Sequence, residues 1–373
     1  MQQYMVDFGG EESFGMASKK MDLHHQIVMS KESLRQHTEH AGQVYLELQA
    51  DVDAQRQLSV DPVCERVMLS LSPIPLPVPG TGTGIAGDAA KVQTNTGEWR
   101  DVKTMTVAEV HADGTTSQMA PQRATYSYFS RMCEYTAFAK DVQVEINRRQ
   151  VKQSDKACAV NDGGEWIPPV IEICRCDAVR ILDFEHGAEH LAEPAREVFG
   201  ENTPEFHAWF DTTRHGPSEG HFQLRHEAPD VALNTLAELG QAHPNHIETI
   251  NKTQAYFIKR LDMINYVEFK NAQWPIGSGA GEAAHKIVIQ ARMKGAGMRW
   301  GVDNINPMAA LRNLICKSGR SRGHDRWNAD WPLIVNAQME HESPPPPKPA
   351  SLLPPGFKLR PATAWRDQPI GSA

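Results

Sequence analysis

The chain has 373 residues, 40% hydrophobic and 23% charged, which suits one large globular domain or two ordinary ones. No run approaches the ~18 to 20 apolar residues of a membrane span, which excludes helical membrane insertion; the acidic start lacks the basic-then-apolar order of a signal peptide, so a cytoplasmic, nucleoid-associated home is expected. A net charge of −8 does not by itself suggest a nucleic-acid binder.

In chain order, residues 1–30 carry no strong periodicity and read as loosely ordered. Residues 31–58 read as a helix capped by Ser30, with Leu34, Val44, Leu46 and Leu48 as its apolar positions. Val67 to Leu71 suits a short strand, ended by Pro73, Pro75, Pro77 and Pro79. Gly80 to Gly87 reads as a flexible Gly/Thr loop. Trp99 to His111 alternates as a strand, and Asp113-Gly114 reads as a turn. Met132 to Arg149 predicts a helix with Phe138, Val142 and Ile146 on one stripe. Short strands follow at Ala157–Val160 and Val179–Leu182, then a helix at Phe184–Val198. Residues 200–272 are helical, polar and rich in His and Glu, like an insertion. A helix is predicted from Ser278 to Met293, and the end is Pro-rich.

Charge is unevenly placed. Between Ala284 and Arg326 stand nine Lys or Arg against Asp303 and Asp325, a local excess of seven. Such a patch attracts a phosphate backbone, or is simply a solvated face. Of six cysteines only Cys174 and Cys176 are close, and a lone C-x-C pair reads as reduced thiols rather than a metal site.

Three acids stand out. Asp162 directly follows one strand, Asp183 ends the next, and Glu282 lies near the start of a later helix. Carboxylates at strand ends can converge on one edge of a sheet, and their hard oxygens suit Mg²⁺. A pair of such ions serves phosphoryl transfer; equally, acids at these places serve as helix caps with no metal. Glu282 and Lys286, four apart, can form a helical ion pair, with Arg292 and Lys294 further along. His186, three residues after Asp183, can brace that corner by a His–Asp hydrogen bond. Trp209 and Trp300 are candidates for stacking on bases, or for the core.

These residues lie in segments that resemble a known family. Asp162-Gly163-Gly164-Glu165-Trp166-Ile167, Ile181-Leu182-Asp183-Phe184-Glu185-His186 and Pro275-Ile276-Gly277-Ser278-Gly279-Ala280-Gly281-Glu282 are similar to bacterial insertion-sequence transposases of the ISKra group, within the Mutator-like transposases with a DDE site. The third segment continues through Gln290-Ala291-Arg292-Met293-Lys294-Gly295 to Gly297-Met298-Arg299-Trp300, and Trp99-Arg100-Asp101-Val102-Lys103 matches a fourth. Together they cover roughly residues 65–330 in family order. The resemblance implies an α/β, ribonuclease-H-like fold: a mixed five-stranded sheet flanked by helices, with a helical insertion before the last acidic helix. It implies that Asp162 and Glu282 are the second and third catalytic acids and metal ligands, with Asp183 and His186 beside them. It further implies two Mg²⁺ ions, DNA contacts from Lys286, Arg292, Lys294 and Arg299, and self-association on paired element ends. The reaction implied is cleavage of a DNA strand and its transfer to target DNA.

The family's first acid falls, in the aligned run Leu69–Val78, on Ser72, a neutral hydroxyl where a bridging carboxylate is needed. The expectation is a site that has lost its first acid, with Asp88 in the loop and Asp101 on the neighbouring strand as the nearby carboxylates. The alternative is a non-catalytic DNA-binding remnant or a domesticated transposase. The organisation expected is an N-terminal helical segment at 1–60, a core at 61–199, the insertion at 200–273, the rest of the core at 274–330 and a Pro-rich tail at 331–373.

Overall fold

A computed structural model describes residues 1–57, 82–110, 127–148, 156–214, 223–316 and 323–342. The expected strand at 67–71, Ser72, the turn at 113–114 and the Pro-rich run from 344 lie outside these. Five strands form one mixed sheet: β1 (Gly82–Gln93), β2 (Trp99–Val110), β3 (Ser127–Arg131), β4 (Ala157–Asn161) and β5 (Val179–Leu182), in the order β3-β2-β1-β4-β5. The pairs β1–β2 and β2–β3 are antiparallel; β1–β4 and β4–β5 are parallel. Parallel neighbours need crossover connections, and helices supply them.

The helices are α1 (Gln2–Glu11), α2 (Phe14–His25), α3 (Lys31–Gln57), α4 (Tyr135–Arg148), α5 (Ile167–Arg175), α6 (Phe184–Phe199), α7 (Pro204–Arg214), α8 (Gln223–His226), α9 (Pro229–Ala242), α10 (Ile247–Ile258), α11 (Tyr266–Asn271), α12 (Gly279–Ala284), α13 (Ala291–Met293), α14 (Val302–Ile315) and α15 (Gly323–Glu342). A π-helical turn, His285–Gln290, joins α12 to α13. Among the described residues no helix is long and apolar enough to cross a membrane.

Side chains alternate across a strand, so each strand of this sheet supplies two cores. Ile85, Met105 and Val107 point to the face covered by Phe138, Val142 and Ile146 of α4 and Ile167 and Ile171 of α5. The expected α4 stripe is fully buried. On the opposite face Ala90, Val92 and Val102 meet Ala280, Ala284, Val288 and Met293, together with Ile305 and Met308 of α14. Further along that face, Val160 and Ile181, with Leu182 at the end of β5, are packed with Phe184, Leu191, Phe257 and Tyr266. Segments 184–271 therefore form the helical cover of the β4–β5 end.

Three expectations need correction. From Gly82 onward the Gly/Thr run expected to be a loop belongs to β1, which pairs with β2 along its whole length. Its small residues are required because α12 rests on it: a Cβ on Gly281 would sit 3.4 Å from Ala86 Cβ. Residues 1–30 are not loosely ordered but form α1 and α2, which pack on α3. The last helix, α15, runs to Glu342, well into the segment assigned to a tail. The helix at 31–57 is as expected, with Ser30 Oγ accepting from the Ser33 N–H at 3.0 Å.

Gly42 sets how closely α3 approaches α14. A Cβ there would lie 2.6 Å from the Pro307 carbonyl oxygen, a backbone atom that cannot swing aside. Gly42→Ala gains about 1 kcal/mol of helix propensity but forces the two helices apart, at a cost of about 1–3 kcal/mol. A lowered urea midpoint is expected; a raised one would show that the contact yields freely.

Candidate active site

A cleft of about 280 Å³ opens at the end of the sheet where β1, β4 and β5 meet α6 and α12. Its walls carry Asp88, Asp162, Asp183, Glu185, Glu189 and Glu282, with His186, Ser278, Gly87 and Gly281 between them. Asp162, Asp183, His186 and Glu282, singled out from sequence, are thus brought together.

Asp88 joins them, and its position follows from register. Ile85 pairs with Ala159 across the parallel β1–β4 ladder. Asp88 and Asp162 each lie three residues further on, so they reach the same height on neighbouring segments. Asn161 fixes the pair: its Oδ1 accepts from the Gly87 N–H at 2.7 Å and prolongs the ladder past its last backbone bond. Asp88 shares strand parity with Ala90 and Val92, which places it on the face under α12. Asp101, by contrast, is exposed on β2 opposite Lys91 and does not line the cleft.

Asp88, Asp162 and Glu282 each have a local partner. Asp88 Oδ2 lies 2.8 Å from His285 Nδ1, and its Oδ1 accepts from the Ala89 N–H at 2.7 Å. His285 is 2% exposed, and its Nε2 has no partner among the described residues. An imidazole left with one bare buried nitrogen carries a penalty of about 1–3 kcal/mol, which the bond to Asp88 must offset. His285 follows Glu282 by three residues, at the point where α12 widens into the π-helical turn. Such turns recur at functional sites because they re-aim side chains within a continuous helix. Asp162, partly buried, accepts from the Gly164 N–H at 3.1 Å, and the exposed Glu282 meets the exposed Lys286 at 3.3 Å. Among the described residues no three acidic, imidazole or thiol groups are gathered around one point. Asp88, Asp162 and Glu282 line the cleft as separate groups, each turned to its own donor.

Asp183 has a different task. It is buried and caps α6, accepting from the His186 backbone N–H at 2.9 Å; its other oxygen accepts from the Ser278 N–H at 2.5 Å. Its own N–H donates to Asn161 O at 2.7 Å, and the Phe184 N–H donates to Ile276 O at 2.9 Å. One residue therefore ties β4, α6 and the loop that launches α12. The hydrogen bond to Asp183 comes from the His186 backbone N–H, not from the imidazole of the expected His–Asp brace. The His186 ring faces the cleft, 4.8 Å from the His190 ring.

The expected DNA contacts divide. Lys286, Lys294 and Arg299 are exposed. Arg292 is not: it is 2% exposed, stacked 4.5 Å from Phe14 and 4.9 Å from Trp300, and its Nε donates to Gly9 O at 3.0 Å. Burial, with Arg312 close by, pulls its guanidinium down to about 10. It is a core residue, and so is Trp300 at 5% exposure; neither faces a ligand. Trp209 packs partly buried among the insertion helices.

Sequence reading names Asp88 only as a loop carboxylate that could replace the missing first acid, beside Asp101, and passes over His285 altogether. A signal for Asp88 was present: Asn95-Thr96-Gly97 before the Trp99 strand is a hairpin turn, which makes the preceding run its partner strand. His285 had none, because burial beside a carboxylate depends on the packed fold. No protein-family model matches the chain, and no curated protein sequence matches it significantly.

Asp183→Ala removes two acceptors and strands two buried N–H groups; a loss of about 2–4 kcal/mol in urea unfolding is expected. A change within 0.5 kcal/mol or so would show that the clamp is dispensable. Burial holds the His190 imidazole below its usual range. The unfolded chain therefore takes up a proton first, and stability is complete above about pH 6.5 and declines as pH falls from there towards the depressed folded value. His190→Gln is expected to flatten that slope in pH-dependent melts; an unchanged slope would remove His190 as its source.

Proposed function

We propose that this chain is a metal-dependent DNA strand-cleaving and strand-transferring enzyme of the DDE transposase kind, built on a ribonuclease-H-like sheet, with Asp88, Asp162 and Glu282 as its acids. One observation carries the reading: carboxylates from the middle of β1, the end of β4 and α12 line a single cleft of a five-stranded sheet. The strand order, with three antiparallel strands followed by two parallel ones, agrees with the fold that the motif resemblance implies. On this reading the first acid is Asp88 rather than the residue at Ser72.

By its chemistry the donor set suits a hard divalent ion, around which the separate acids would have to turn together. It offers carboxylate oxygens from three separate elements and no thiolate, which favours Mg²⁺ over softer metals. Asp88, Asp162 and Glu282 would hold the ions. When bound, two Mg²⁺ would activate the attacking oxygen and stabilise the leaving oxygen of a phosphodiester. The chain's own residues do the rest. His285 fixes the rotamer of Asp88 by a buried hydrogen bond, as outer partners of ligating carboxylates do. Asp183 holds the loop from which Glu282 projects. Lys286 balances Glu282, and Lys294 and Arg299 offer exposed charge to the DNA backbone. Self-association on paired DNA ends belongs to the same reading.

The test is nicking of a supercoiled plasmid that carries the DNA flanking the coding sequence. Cleavage is expected with Mg²⁺ or Mn²⁺ and not with EDTA. Asp88→Asn, Asp162→Asn and Glu282→Gln should each lower it by about a hundredfold or more, since each removes an anionic ligand. Ser72→Ala should leave it intact. Cleavage that survives Asp88→Asn would reject Asp88 as the first acid. DNA binding with no cleavage under any metal would leave the non-catalytic DNA-binding reading.

A further inference from the structure

The cleft wall carries six carboxylates, and a phosphodiester approaching it is repelled until cations meet it. Lys286 is one such cation, already paired with Glu282. A second comes from the helical cover rather than from the core of the sheet. Arg260, just beyond α10, lies with its guanidinium carbon 3.9 Å over the Tyr256 ring. His190 of α6 packs against the same ring, centroids 3.9 Å apart. The three form a stack that leads from His186, in the cleft, to Arg260.

This stack sits on the turn that presents Asp162. Gly163 has φ +81, and a Cβ there would lie 2.8 Å from the Tyr256 hydroxyl and 3.8 Å from Arg260 Nε. Only glycine both adopts that backbone conformation and lets the ring and guanidinium rest on the turn. Burial above all holds the Tyr256 hydroxyl above its usual range; Arg260 favours its ionisation and Asp162 opposes it. Arg260 is half-buried, gives Nη1 to the Tyr256 carbonyl oxygen at 3.2 Å, and has no carboxylate within ion-pair distance among the described residues. A guanidinium is always charged, and its planar fork matches two phosphate oxygens at once. Stacking fixes its plane beforehand, so little freedom is lost when an anion arrives.

We propose that Arg260 grips a backbone phosphate of the DNA strand that enters the cleft next to Asp162, so that residues 200–273 contribute a substrate-positioning group rather than structural cover alone. The assignment rests on the reading of the cleft as a DNA-cleaving site. The alternative role, a brace that merely ends α10, requires no ligand.

Equilibrium binding separates the two. The full-length protein is titrated against a fluorescein-labelled DNA duplex in EDTA, over a range of salt concentrations, so that neither metal nor catalysis enters the readout. Arg260→Met keeps contact with Tyr256 but removes the charge. It is expected to weaken binding about tenfold and to reduce the slope of log K against log salt by about one. Tyr256→Phe keeps the stack and should bind like the native chain. If native protein binds with a clear salt dependence and Arg260→Met matches it in affinity and slope, the assignment to Arg260 is overturned while the DNA-binding reading stands. If native protein does not bind, both fall. Should Arg260→Met fail to fold, Arg260→Lys carries the test. Loss of the fork with the charge kept should weaken binding about threefold at an unchanged slope. A Lys variant equal to native in affinity would overturn the role of the guanidinium fork.

Discussion

The arrangement at the sheet edge depends on Asp183. Its carboxylate is buried, and each of its oxygens holds a backbone N–H, one opening α6 and one in the loop before α12. Those N–H groups belong to segments nearly a hundred residues apart, separated by the whole helical cover. Once they share a carboxylate, the distance from β5 to the start of α12 is set, and with it the place from which Glu282 projects. Because the clamp uses backbone groups, it is indifferent to the side chains that line the cleft, which leaves those free for chemistry.

Around this fixed corner the site is built by exclusion of bulk. Gly87, Gly281 and Gly163 each stand where another element comes close: Trp166 and Asn161 over the first, β1 beneath the second, Tyr256 over the third. These are the positions at which a helix must lie on a strand, or a ring on a turn, without a side chain between. The carboxylates occupy neighbouring positions in each case, Asp88 after Gly87, Glu282 after Gly281 and Asp162 before Gly163. Close backbone approach and acid placement are thus two aspects of one packing solution.

Much of this was legible in the sequence, and the failures have physical causes. The α4 stripe, β2, β4, β5 and α6 were readable because their apolar spacing matches one face of one element. Asp162, Asp183 and Glu282 were readable because they sit at element ends, where chain direction alone suggests convergence. β1 was not, since Gly82-Thr83-Gly84-Ile85-Ala86-Gly87 has the composition of a flexible loop. Its strand character comes from pairing along β2 and from the helix above it, which demands small residues where strand propensity would favour large ones. Reading that run as a loop hides the register that brings Asp88 level with Asp162. Arg292 was misread for a related reason: a count of charges cannot tell a guanidinium on the surface from one sandwiched between Phe14 and Trp300.

The buried arginines have a consequence for how the chain is partitioned. Arg292 and Arg312 donate to the Gly9 and Gly10 carbonyl oxygens at the end of α1, and Arg312 also holds Val288 O in the π-helical turn. The first dozen residues therefore act as the counter-surface for two interior cations next to the segment that carries Glu282. A copy of this gene shortened at its start would strand those cations in the interior, and the damage would reach the carboxylate cleft although no cleft residue had been touched. What lies first in the chain is, by its hydrogen bonds, part of the same body as what lies last in the site, and the two can be lost only together.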